Sequence, residues 1–63
     1  MCEFKVYLRS GDKIEEVAEG VIKALVDGGV VRLITLFGEV REITGAMIES
    51  VDVPNEKLVL TRR

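Results

Sequence analysis

The only cysteine of this 63-residue chain stands at position 2, and the chain contains no histidine. A lone thiol cannot close a disulfide within its own chain. Cys2 could bind a soft metal as a thiolate, sense oxidants, or pack as a small apolar side chain. Redox sensing has little support, because no resolving cysteine, histidine or arginine cluster lies near it. The missing histidine removes the commonest nitrogen ligand for transition metals and the commonest general base. No Cys/His spacing of a zinc finger or ribbon exists. Glu15, Glu16 and Glu19 could face a hard cation, but an acidic cluster without calcium-loop spacing reads as a solvated face. Met47 is a thioether beside Ala46 and Ile48, a setting that reads as core. Tyr7, between Lys5 and Arg9, could stack a nucleic-acid base, but it reads more simply as a surface or interface residue. There is no nucleophile–base pair, no glycine-rich phosphate loop and no supported pair of catalytic carboxylates. The sequence therefore points away from an enzyme.

Length limits what can position these groups. The chain, residues 1–63, has room for one small domain. Such a chain buries about 60% of the surface its unfolded form exposes, so a metal, a partner subunit or both are expected to support it. Apolar residues make up 48% of the chain, more than so small a core can hide, which predicts that another chain covers part of the surface. The net charge of −2 argues against nucleic acid as a partner, since such binders carry a basic excess. The one adjacent basic pair is Arg62-Arg63. No signal-peptide pattern and no apolar run of about 18 residues is present, so neither export nor a membrane span is expected. A single free cysteine fits a reducing cytoplasm.

The pattern along the chain is mostly that of strands. In "CEFKVYLR", Cys2, Phe4, Val6 and Leu8 alternate with Glu3, Lys5, Tyr7 and Arg9, the period of a half-buried strand. That alternation puts the Cys2 thiol on the core side, next to Phe4. "SGD" is turn chemistry. The following stretch, residues 13–27, supports two structures. Ile14, Val17, Ala18, Val21, Ile22 and Leu25 fall at helical spacing, with Asp12 and Glu15 placed as a capping box and Gly28 as a stop. Against a helix stand Gly20 in its middle, Glu15 and Glu19 as like charges one turn apart, and "DGG" as a hairpin turn. Beyond it, "VVRLITLF" is nearly continuous and apolar, the mark of a strand buried on both faces, by a curled sheet or by a partner chain, with Phe37 as a core residue. "VREIT", "MIESVDV" and "KLVLT" are further strands, separated by turns at Gly38-Glu39, Gly45 and "PNE". Short strands with regular turns predict a small barrel or sandwich.

The "MC" start followed at once by an alternating strand, then "LFGE", Gly45, "IESVD" and the closing "KLVL", resemble the CooT family of small nickel-binding proteins over the whole length. The resemblance implies an all-β, compact antiparallel barrel of the Sm-like kind, with about six or seven short strands, assembled as a homodimer. It tips residues 13–27 toward strand and leaves a helical turn open there. It also implies a role in nickel delivery for maturation of carbon monoxide dehydrogenase. The implied ligand is the cysteine after the initiator Met, one from each subunit, and Cys2 is the residue that matches.

Chemistry makes that implication coherent. A residue near a two-fold axis meets its own copy, so two Cys2 thiolates could share one Ni(II). If Met1 is removed, the amine and thiolate of Cys2 form a five-membered chelate. Two such chelates supply two nitrogens and two sulfurs, a set suited to square-planar Ni(II). If Met1 stays, its amine and the Cys2 amide could serve beside the thiolate. Both kinds of donor must shed protons, so binding should weaken as pH falls. The reading is thus a cytoplasmic, homodimeric nickel carrier serving a nickel enzyme as client. The alternatives are an Sm-like RNA-binding module working through Lys5, Arg9, Arg32, Arg41 and Arg62-Arg63, and a structural protein-interaction module with no metal affinity.

Overall fold

A computed structural model describes residues 2–62. The amine of Met1 and the last basic residue, Arg63, both invoked above, lie outside the described residues. Six strands follow one another: β1 (Phe4–Ser10), β2 (Lys13–Asp27), β3 (Val30–Thr35), β4 (Val40–Thr44), β5 (Ala46–Asp52) and β6 (Lys57–Arg62). They form a single curled half-barrel sheet in the order β4-β3-β2-β1-β6-β5.

The all-β expectation holds, with three corrections. The first is that residues 13–27 contain no helical turn but one 15-residue strand. The strand serves two partners in turn: Lys13 to Val21 lie along β1, and Val21 to Asp27 lie along β3. A helix here would have satisfied only its own amides and left two strands without their neighbour. Gly20 takes φ +66, which glycine adopts without the steric cost other residues meet. The register slips on either side of it, between Phe4 and Tyr7 against β1 and between Val21 and Lys23 against β3. These bulges bend β2 so that one strand turns the corner of the sheet.

The second correction concerns direction. The sheet is not wholly antiparallel, because β1 and β6 run parallel, Val6 beside Leu58 and Leu8 beside Leu60. The cause is the link at Gly45. One residue is too short to reverse the chain, so β5 keeps the sense of β4 and its hairpin partner β6 emerges parallel to β1. The carbonyl of Gly29 accepts from the amides of Gly45 (2.6 Å) and Ala46 (3.3 Å), which closes this end of the half-barrel.

The third concerns β3, whose second face the curled sheet alone leaves half-covered, and the aromatic residue after it. Val31, Leu33 and Thr35 are buried, but Val30, Arg32 and Ile34 on its other face are only half-buried. Phe37 is not core: it is 86% exposed in the turn after β3. The buried hydroxyl of Thr35 accepts from the amides of Phe37 (3.3 Å) and Glu39 (3.1 Å), ending the strand there and turning the aromatic ring outward. Met47, read as core, is 45% exposed. The core is formed by Val6, Leu8, Val21, Val31, Leu33, Ile43, Leu58 and Leu60, with Phe4, Val17 and Ala18 packed against it. No helix of the described residues is long and apolar enough to cross a membrane.

Candidate functional site

Cys2 lies two residues before β1, and it is a free, exposed thiol. The structure therefore does not bear out the core-side packing that strict alternation predicted. The alternation holds from Phe4 inward, where the strand begins. What fixes the segment leading to β1 is the β5–β6 turn. The amide of Glu3 donates to Oε2 of Glu56 (2.9 Å), and the amide of Lys5 donates to the Glu56 carbonyl (3.0 Å). One residue thus grips the chain on both sides of Phe4.

The turn itself is well braced. The Glu56 amide donates to the Val53 carbonyl (3.0 Å). Both oxygens of Asp52 accept from Asn55, Oδ2 from the side-chain amide (2.8 Å) and Oδ1 from the backbone (3.3 Å). These bonds, the side-chain one first, and then the charge of Lys57, hold the Asp52 carboxyl below the usual carboxylate range. Glu56 adopts φ 51, the one non-glycine residue with a positive φ among those described. Sequence reasoning marked "PNE" as a turn and missed Glu56 as a functional residue. The only signal was a glutamate where such a turn ordinarily places glycine.

Among the described residues, no group of three or more Cys, Asp or Glu side chains gathers to hold a metal. Glu15, Glu16 and Glu19 are all exposed on the first half of β2, the solvated face expected of them. One copy of the chain therefore supplies Cys2 and its backbone nitrogen and too few further donors for a closed site. Close to Cys2 in the chain is a surface suited to a second copy. An open apolar groove of about 270 Å³ runs between β2 and β5, lined by Phe4, Val21, Ile22, Ala24, Ile48 and Val51 among others. Phe4 is two residues from Cys2, so at most about 7 Å separates their Cα atoms.

The family model of the CO dehydrogenase accessory protein CooT matches residues 1–61. The chain belongs to the CooT family. Its fold is similar to the crystal structure of a protein described as a CooT from Carboxydothermus hydrogenoformans, with a TM-score of 0.86 and 27% identity over 98% of each chain. No curated protein matches. The CooT family is one of accessory proteins to CO dehydrogenase, which agrees with the expectation of a chain that is not itself a catalyst.

Three of the basic residues of this CooT family member are engaged within the chain. Arg9 pairs with Glu49 (3.1 Å). Arg32 binds Glu42 (2.6 Å) and lies 3.8 Å from Asp27, and the Glu42 contact raises its already high pKa further. Nε of Arg62 donates to the Thr44 carbonyl (3.0 Å). Lys57 sits over the ring of Tyr7, 5.3 Å from its centroid, so this face of the one tyrosine is covered and not free to stack a base. Acids are interleaved with bases across the sheet, and a counterion-releasing patch needs the opposite arrangement.

Proposed function

We propose that this chain is a cytoplasmic nickel carrier that acts as a homodimer, holding one Ni(II) between the Cys2 residues of two copies for a CO dehydrogenase client. The observation that carries the reading is that Cys2 is a free, exposed thiol two residues before Phe4, which lines an open apolar groove. Membership of the CooT family supports CO dehydrogenase as the enzyme served. The donor chemistry supports nickel. Two thiolates and two backbone nitrogens make a tetragonal set, and no histidine or carboxylate cluster competes for the ion. Exposure allows the cargo to leave, as delivery requires. The groove supports the dimer, because its burial against a second copy would bring both Cys2 arms to one interface.

The test is a calorimetric titration of the reduced protein with Ni(II), beside Cys2→Ala, with mass measured by light scattering. One Ni(II) per two chains, lost in the variant, is the expected result. Equal binding by the variant would sink the reading and leave the interaction module in its place.

A further inference from the structure

Glu56 holds a backbone conformation that favours glycine. It follows a turn in which Pro54 and Asn55 occupy the two central positions and the Glu56 amide closes back on Val53. A left-handed residue directly after such a turn forms the bulge that starts the next strand, and glycine is the ordinary occupant. Here a glutamate sits at φ 51. Strain of this kind persists where the side chain returns something. What the Glu56 side chain does is accept the Glu3 amide at 2.9 Å, across 53 residues of sequence.

We infer that Glu56 is a positioning residue for metal capture: its carboxylate clamps the Cys2–Glu3 peptide so that the Cys2 thiol is presented in one place ahead of β1. This rests on the Cys2 reading above and adds a second residue to it. Without the clamp, the residues before Phe4 have no partner from β1 or from its neighbours, since the β1–β2 ladder begins at Phe4 and the β1–β6 ladder at Lys5. The arm would then sample many directions, and binding would have to order it. Fixing one residue's backbone costs a factor of about ten in an equilibrium constant. For a site shared by two arms the clamp acts twice per ion.

The experiment uses Glu56→Gly, Glu56→Gln and Cys2→Ala in the full chain. Glycine suits the backbone at this position and lacks the carboxylate, so Glu56→Gly should unfold at the same or higher urea concentration. It should bind Ni(II) at least about tenfold more weakly, since each arm loses its restraint. Glu56→Gln keeps an acceptor oxygen and should recover part of that affinity. In the metal-free protein, the Glu3 amide should exchange with solvent faster in Glu56→Gly than in wild type. Wild-type affinity in Glu56→Gly, with binding still abolished in Cys2→Ala, would overturn the clamp and leave the Cys2 site standing. So would unchanged exchange of the Glu3 amide. Equal Ni(II) binding by wild type and Cys2→Ala would overturn the Cys2 reading, and this inference with it.

Discussion

The two halves of β2 are both exposed, for opposite reasons. Lys13 to Gly20 carries four charged side chains, and its outward positions are the solvated face of a sheet. Val21 to Asp27 is mostly apolar, yet only Val21 is buried, while Ile22, Leu25 and Val26 remain 40–56% exposed. The same strand, with the same kind of pairing, thus presents water-compatible chemistry on one side of Gly20 and water-averse chemistry on the other. Neighbouring Phe4, Ile48 and Val51 extend the second kind of surface across the groove. A monomer gains nothing from such a patch; a dimer face does. A standard interface of about 800 Å² per subunit would take about a fifth of the 4311 Å² surface, so assembly would matter to the stability of so small a domain.

Several substitutions break or sharpen this contrast. The largest effect should come from Leu33→Ala, which removes a fully buried side chain beneath the apolar half of β2, opposite Ala24. It should destabilise the fold by about 2–5 kcal/mol, read from urea unfolding. Next, Ile22→Ser combined with Val51→Ser should raise the dimer dissociation constant by roughly a hundredfold, from lost apolar burial on both sides of the groove. Ile14→Ser, at a comparable exposure in the charged half, should leave the mass by light scattering unchanged. If Ile14→Ser dissociates the protein as well, the two halves are not different in kind. Gly20→Ala tests the boundary between them. At φ +66 an alanine should cost about 1–2 kcal/mol, with the bend in β2 retained.

The smallest effect is a pH dependence at Asp52. Its folded pKa lies below the ordinary range, so its contribution to stability is present above that range and fades as pH falls through the folded value. The advantage of wild type over Asp52→Asn in urea midpoint should therefore shrink on acidification. A constant difference would mean that the Asn55 contacts do not depend on the charge.

How much of this was legible in the sequence depended on what each side chain faced. β1 was readable because Phe4, Val6 and Leu8 face one core on one side of one strand. Residues 13–27 were not, because three register slips break the alternation and the apolar half serves a surface as well as the core. Helical spacing there is the trace of a bulged strand. Phe37 was misplaced because an apolar run looks continuous in sequence, while the Thr35 hydroxyl ends the strand two residues earlier. Cys2 stood out as a candidate chiefly through the family resemblance, since a lone cysteine has no partner in its own chain to betray a purpose. Glu56 was invisible, because its contact with Glu3 spans nearly the whole chain.

The parallel pairing of β1 with β6 sets an order of events during synthesis. Strands β1 to β4 lie side by side in chain order, while β6 crosses back to pair with β1 and carries β5 at the far edge. Contacts of such long sequence separation form late and close slowly. A chain released as far as β5 can pair β1 to β4 but leaves β5 without its partner β6. The grip of Glu56 on the Cys2 arm arrives only when β6 seats beside β1. Until β6 seats, the Cys2 arm would therefore be held loosely; once it seats, the thiol has a fixed position.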